Sequence, residues 1–395
     1  MFVATKAGAR NALRSFLPRS GRDYAVDRNY DNGADGEATV SRLSPWIRTR
    51  LLPEWELLNA VLGEHSEHDA AKFIDEVCWR TYWKGWLELR PAIWADYLNE
   101  RIILVEKYQK HIGYVEAIEG RTGIDCFDRW SRDLVENNYL HNHARMWYAS
   151  IWIHTLKLPW QLGADWFLKH LLDGDVASNT LSWRWVAGLQ TQGKTYLARP
   201  ENIRKYTQNQ FKVRHALATK PVELLENTRP RPRALQPATS APKGLHLGLL
   251  VTDDDVDSIN WLTEAYDIEK VATLFSEASY REHFIDEQVI EFRRAALSKN
   301  IGGGSFVVAS EVCQWVEENN LDGIITPVPI EGFNKATLQS TQEALERVGK
   351  RFCTARHWWD ETLYPHATHG FFRFKQAIPK VLAQLKQPEL LDIFS

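Results

Sequence analysis

The sequence predicts two folds in series, an all-helical first half followed by a parallel α/β second half. Three observations carry this. Apolar residues recur at helical spacing over 70–90, 126–139, 141–157 and 163–172, between short Gly, Pro and Asp turns. Residues 219–243 lose that period and are rich in Pro, as in the run Arg229-Pro-Arg-Pro-Arg233, which reads as a linker. Beyond it, short apolar runs at 245–251, 271–275, 323–328 and 351–356 are separated by helical patterns at 259–266, 286–298, 310–319 and 335–348. Strands alternating with helices imply a Rossmann-like parallel sheet covered by helices. The expected division is therefore 1–218 helical, 219–243 linker and 244–395 α/β. Gly302-Gly-Gly304 is followed by no Gly-Lys-Ser/Thr and reads as a flexible turn rather than a phosphate loop.

Composition narrows the class. A hydrophobic fraction of 44% and a charged fraction of 25% are ordinary for a globular protein, but 17 Trp are not. Thirteen of them precede residue 218, so the aromatic load belongs to the first half. The four Cys (78, 126, 313, 353) are widely spaced, without a CxxC pair. That fits a reducing cytoplasm and excludes a disulfide framework and a zinc site. No apolar run is long enough for a bilayer span, and Met1–Arg22 lacks the apolar core of a secretory signal. Residues 1–218 carry a net charge of +3 and the remainder −6, within the total of −3. The basic excess is compatible with contact to a phosphate backbone, and is small.

Two segments carry the chemistry. Asp173-Gly-Asp-Val-Ala-Ser-Asn-Thr-Leu-Ser-Trp-Arg-Trp185 places Asp175, Asn179 and Ser182 at i, i+4, i+7, so a helix aims all three at one ligand. Phe73-Ile-Asp-Glu-Val-Cys-Trp-Arg80 repeats the pattern through Glu76, Trp79, Arg80 and Trp83. Acids and an amide suit a polar heterocycle with donor and acceptor edges, and indoles suit stacking or electron transfer. A packed helix with core indoles explains either segment alone; two that mix charge with Trp point to a site.

The same residues resemble a known family. Asp-Gly-Asp-x3-Asn-x3-Trp-x-Trp is similar to the flavin-binding signature of DNA photolyases and cryptochromes. Ser41-Arg-Leu-Ser-Pro45 resembles that family's phosphate-binding turn, Gly120-Arg-Thr-Gly123 with Asp128 its Gly-x-Thr-Gly-x4-Asp segment, and His141-Asn142-x2-Arg145-Met146 a further helix. The likeness covers about residues 5–207 and all segments fall in family order. The second half, notably Thr368-His-Gly-Phe-Phe-Arg-Phe374, resembles the family's α/β antenna domain. The family places that domain first; here the order is reversed, as in a circular permutation.

The resemblance implies a photolyase-type FAD-binding domain and assigns roles. Tyr24, Ser41, Arg42, Leu43 and Ser44 are expected to hold the cofactor, the turn through backbone N–H groups at a helix start. Val40 stands where the family usually has Thr. Arg145 and Asp173 are expected to pair beside the isoalloxazine ring, Asp175 to accept from its N3–H, and Asn179 to face N5. Phe73 and Arg80 are further expected cofactor contacts. Trp79 and Trp185 would flank a flipped pyrimidine dimer and Glu76 would hydrogen-bond it. Asn142 and Met146 match the cyclobutane-dimer class, where enzymes for the (6-4) lesion carry histidines. Trp183 and Trp160 match the inner and middle members of a tryptophan relay; the outermost has no counterpart, with Tyr108, Tyr114 and Trp94 as substitutes. At 191–206 the chain departs from the family, and Lys194, Arg199, Arg204 and Lys205 are either phosphate contacts or a solvated basic turn.

The expected function is that of a cytoplasmic, monomeric, light-driven lyase acting on pyrimidine dimers in UV-damaged DNA, with FAD as cofactor and no metal. A second antenna chromophore of folate or deazaflavin type is left open. The alternatives are a cryptochrome-type blue-light photoreceptor without repair and a binding protein that has lost its flavin. A thermally driven flavin oxidoreductase is disfavoured by the lack of a nicotinamide-binding Gly fingerprint.

Overall fold

The computed structural model describes residues 2–33, 36–213, 215–226 and 230–385. Its first half is helical: α1 Lys6–Phe16, α2 Arg22–Asp27, α3 Ser44–Arg48, α4 Glu54–Glu64, α5 Glu67–Glu88 and α6 Ala92–Tyr108. There follow α7 Ile112–Ile118, α8 Asp125–Asn137, α9 Asn142–Ser150, α10 Trp160–His170, α11 Val176–Val186 and α12 Pro200–Tyr206. After a stretch without regular structure the pattern alternates: β1 Leu247–Val251, α13 Ser258–Ala265, β2 Ile268–Leu274, α14 Glu277–Glu282 and α15 Glu287–Ser298. Then come β3 Gly304–Phe306, α16 Ala309–Glu318, β4 Gly323–Pro327, α17 Lys335–Arg347 and β5 Arg351–Ala355. Three short helices close the described chain: α18 Trp358–Leu363, α19 Phe371–Phe374 and α20 Ile378–Leu385. The helical and α/β parts match the expectation, with the strands displaced by a few residues.

The chain divides into two compact units, and the cut does not follow the linear order. One unit comprises Met1–Gly21, Leu43–Leu89 and Pro232–Ser395; the other comprises Arg22–Arg42 and Arg90–Arg231. The division at 219–243 expected from composition thus misses that α1 and α3–α5 group with the α/β part. The reason is long-range pairing. Arg48 Nη2 meets Asp254 at 2.9 Å, Trp359 Nε1 donates to Thr81 Oγ1 at 3.1 Å, and Tyr82 Oη donates to the His369 carbonyl at 2.8 Å.

In that first unit the five strands are all parallel, in the order β3-β2-β1-β4-β5. β1 is buried at every position, as a central parallel strand covered on both faces must be. Leu250, Ala272, Leu274, Ile324, Val312, Val316, Leu338 and Leu345 form a core there. Chain order reverses between β1 and β4, where open α/β sheets usually leave a ligand crevice. Here the crevice takes guanidinium groups of the chain itself. Arg50 Nη1 lies 2.8 Å from Asp255 and Nη2 2.7 Å from Asp360, with Nε 3.3 Å from Glu54. Arg50 holds the left-handed φ of 53°, a conformation costly for a residue with a Cβ and sustained by these three buried carboxylates.

Candidate functional site

The expected site residues are shared between the units. Tyr24, Ser41, Arg42 and every candidate from Asn142 to Trp185 fall in the second unit, and Leu43, Ser44, Phe73, Glu76, Trp79 and Arg80 in the first.

In the second unit Arg145 and Asp173 form an ion pair. His141 caps α9, its ring accepting from the His143 N–H, and Arg145 stands one turn into the helix. Arg145 Nη1 meets Asp173 Oδ2 at 3.0 Å, while its Nε donates to the Leu140 carbonyl at 2.9 Å. Tyr139 lies beneath two cations, with the guanidinium carbons of Arg145 and Arg42 at 5.3 Å and 5.8 Å from its ring. Burial pushes the Tyr139 hydroxyl up to about 12. The His141 imidazole is held down at about 3, first by burial and then by His143 and Arg145, so it is neutral.

The loop bearing Asp173 is fixed by a residue that sequence reading missed. Asn138 ends α8 at φ 51°. Its amide donates to the His170 carbonyl at 2.8 Å, and its own carbonyl accepts from the Leu172 N–H at 3.0 Å. An Asn at the end of an apolar-periodic stretch was the available signal, since Asn tolerates the left-handed turn at a helix end. Asp175 then caps α11, accepting from the Ser178 N–H at 2.8 Å, so one oxygen of the expected N3–H acceptor serves the helix start. Asn179 follows one turn on. Its Nδ2 donates to the Ala164 carbonyl at 2.8 Å, which fixes the amide plane in a buried position. α10 and α11 approach closely at Gly163, where a Cβ would lie 2.3 Å from the Trp183 ring.

The two expected relay indoles belong to different aromatic groups. Trp183 is buried against Phe167 at 5.0 Å, Trp152 at 6.1 Å and Tyr148 at 6.4 Å. Trp152 lies on a π-helical turn, Ile151–Thr155, and continues to Tyr114 at 5.9 Å. Trp160 packs instead on Tyr97 at 5.8 Å, with Tyr97 stacked on Trp94 at 5.0 Å, and the Arg184 guanidinium covers Trp160. Of the proposed outermost members, Tyr114 adjoins the Trp183 group and Trp94 the Trp160 group. Tyr108 pairs with His111. Trp152 and Tyr97 were invisible in the sequence, because nothing local separates a relay ring from a core ring.

The dimer-side candidates of this unit are accessible. Asn142 is exposed at the first turn of α9, and Met146 is half-buried one turn later. Trp185 is half-buried, and one face is taken by Tyr196 at 5.7 Å and 27°. Lys194, Arg199, Arg204 and Lys205 are exposed. Gly120-Arg-Thr-Gly123 forms a structural turn. The Asp128 carboxylate accepts from Thr122 N at 2.8 Å, Thr122 Oγ1 at 2.6 Å and Gly123 N at 2.8 Å.

In the first unit, Ser44 opens α3 directly after Leu43, without a side-chain cap; Pro45 carries no N–H, and the Trp46 and Ile47 N–H groups both donate to the Leu43 carbonyl at 3.1 Å. Arg42, just before it, has φ 53°. On α5, Phe73 is buried at 5.3 Å from Phe16, a core position rather than an open cofactor contact. Glu76 is exposed, and Trp79 and Arg80 are half-buried. Trp79 is stacked face to face on Phe371 at 3.8 Å and 10°, with Tyr82 edge-on at 5.4 Å and Trp83 tilted at 5.2 Å.

The donor set suits a flavin nucleotide. Within the second unit it offers a partly exposed guanidinium held by a buried acid, an oriented buried amide, and an indole on the same helix as that amide. Among the described residues no group of three His, Cys, Asp or Glu is placed to hold a metal ion, and no helix is long and apolar enough to cross a membrane.

Comparison with known proteins agrees with this chemistry. Residues 73–215 match the family model for the FAD binding domain of DNA photolyase. The chain is 32% identical over 213 residues to the deoxyribodipyrimidine photo-lyase of Streptomyces griseus, covering 50% of this chain and 46% of that one. It is 31% identical over 203 residues to the same enzyme of a Thermus thermophilus strain, covering 49% and 44%. With the Escherichia coli enzyme it shares 26% over 208 residues, covering 49% and 42%. The chain thus spans less than half the length of these relatives. A bacterial class III photolyase from Agrobacterium tumefaciens superposes with a TM-score of 0.44 at 24% identity, covering 52% of this chain and 43% of that one. A cryptochrome from Synechocystis gives 0.43 at 23%, covering the same shares. Residues 73–215 are therefore similar to the FAD binding domain of DNA photolyase.

Proposed function

We propose that this protein is a light-driven, FAD-dependent lyase that splits cyclobutane pyrimidine dimers in DNA. The observation that carries the reading is the Arg145–Asp173 pair next to the capped helix that orients Asn179, inside the segment matched to the FAD-binding domain. Bound reduced FAD would supply, under near-UV or blue light, the electron that opens the cyclobutane ring and is returned afterwards. The chain's own residues do the rest. Arg145 and Asp173 would hold the ring system, and Asn179, its amide fixed by the Ala164 carbonyl, would face its N5 side. Trp79 and Trp185 each keep a partly open indole for stacking an extruded base, and exposed Glu76 offers a carboxyl to a pyrimidine edge. Asn142 and Met146 stand where enzymes of the other lesion class place histidines. The test is illumination of the reduced, flavin-loaded protein with an oligonucleotide bearing one cyclobutane dimer. Chromatography should show light-dependent recovery of intact pyrimidines, and a flavin-loaded protein that leaves the dimer untouched rules the lyase out.

A cryptochrome-type photoreceptor is the second reading, favoured by one observation. Each candidate dimer-flanking indole already has an intramolecular ring partner, Phe371 for Trp79 and Tyr196 for Trp185. Dark-reversible flavin photoreduction with no preference for dimer-bearing DNA would establish it.

A further inference from the structure

We propose that the segment from His366 to Lys380, in the α/β part of the chain, is a nucleic-acid contact surface with Phe372 as its stacking or wedge residue. The inference rests on the DNA-directed reading above only for the class of partner. The second half of the sequence is acidic overall, yet residues 362–388 contain no Asp or Glu. They contain instead Arg373, Lys375, Lys380 and Lys386, with His366 and His369.

Packing explains only half of this segment. Phe371, Phe374, Ile378, Val381 and Leu382 are buried and anchor α19 and α20. Phe371 covers Trp79, Phe374 meets Tyr82 at 5.4 Å, and the His369 carbonyl accepts from Tyr82 Oη. His366, His369, Arg373, Lys375 and Lys380 face outward. So does Phe372, which is 87% exposed, the highest value among the exposed large hydrophobic residues described. A lone exposed aliphatic residue needs no explanation. A phenylalanine held out on an anchored turn, between a histidine and an arginine and next to the ring that backs Trp79, has the composition of a surface for stacked bases and phosphates. The opposing charges are few. Lys375 is paired with Asp75 at 2.6 Å, Arg373 lies 3.3 Å from the His369 ring, and Glu76 is the exposed acid on the adjoining face of α5. Arg373 and Lys380 therefore remain as the cations for a phosphate backbone.

The experiment measures fluorescence anisotropy of labelled oligonucleotides, intact and dimer-bearing, against the full-length protein across roughly 50 to 200 mM salt. The expected result for the double variant Arg373→Gln, Lys380→Gln is a uniform loss of affinity for intact and dimer-bearing duplex, with the salt slope reduced by about 1.8. Phe372→Ala should weaken single-strand binding by roughly tenfold with little change in slope. Both changes lie on exposed side chains, so circular dichroism and melting should match the parent chain. Unchanged affinity and slope in both variants would overturn the surface. Its failure is separable from failure of the lyase reading. Dimer repair with parent-like affinity in the variants removes the surface alone, and Phe372-dependent DNA binding without repair removes the lyase alone. A chain that binds no nucleic acid but sediments with phosphatidylserine vesicles through Phe372 also overturns the proposal.

Discussion

Arg145 and Asp173 meet at 3.0 Å but are unequally sheltered: the carboxylate is 2% exposed and the guanidinium side chain 22%. The asymmetry gives a direction. Arg145→Met leaves a buried acid without this cation, whereas Asp173→Asn leaves a cation that still reaches water and the Leu140 carbonyl. Arg145→Met should cost about 3–5 kcal/mol and Asp173→Asn less. Urea unfolding measures the difference. Both should reduce bound flavin, read as the visible absorbance per chain.

The Asp173 loop depends on Asn138, and its two contributions separate by substitution. Asn138→Gly keeps the left-handed turn and loses the bond to the His170 carbonyl, for about 1 kcal/mol. Asn138→Ala loses the bond and places a Cβ in an unfavourable conformation, so it should cost roughly 1–2 kcal/mol more. Equal melting points for the two variants would remove the backbone part of this argument.

Local pattern made much of this legible. α5 and α11 were readable because their polar and aromatic residues recur at 3–4-residue spacing, and β1, β4 and β5 because buried parallel strands are continuous apolar runs. β2 starts at Ile268, earlier than the apolar signal at Val271, because Glu269 and Lys270 are exposed there. β3 has three residues, one of them Gly304, too short for any period. The unit division was hidden because Arg48 and Arg50 find their carboxylates about 200 residues away. A still longer separation in sequence concealed Phe371 behind Trp79. Neither is written in local sequence.

The crevice at the sheet's chain reversal bears on a second chromophore. Asp253, Asp254 and Asp255 follow β1 and present acids where a cofactor phosphate would need donors, and Arg48 and Arg50 are spent on them and on Asp360. The expected outcome is FAD alone, one per chain, when cofactors are released by denaturation and separated by chromatography. A stoichiometric deazaflavin or folate would show that this network opens.

Stability should fall on mild acidification through His357. Burial, with Arg50 adding to it, holds this imidazole at about 3, far below its ordinary 6.5, while it stacks on Trp55 at 3.7 Å. The folded state keeps the ring neutral and the unfolded state takes up a proton below 6.5. The contribution is therefore complete above that pH and is lost as pH falls from 6.5 toward 3. Between about pH 7 and pH 5 this one group should remove about 2 kcal/mol. His357→Asn retains a capping side chain for α18 and should flatten that part of the pH profile, as followed by urea titration at the two pH values.

Trp183 touches Trp152 and not the ring group of Trp160, which predicts the order in which substitutions impair light-driven reduction of bound flavin. Trp183→Phe should abolish it, because its indole stands on the helix that carries Asn179. Trp152→Phe breaks the ring contact at 6.1 Å and should slow photoreduction more than Trp160→Phe, whose ring joins Tyr97 and Trp94. Phenylalanine keeps most of the packing, so a fall in rate without a fall in melting point reports the electron path and not the core. The measurement is the bleaching of oxidised flavin absorbance under blue light with a thiol donor in solution. If Trp160→Phe proves the slower variant, electrons cross between the two ring groups, and the contact between Trp183 and Trp152 is structural packing.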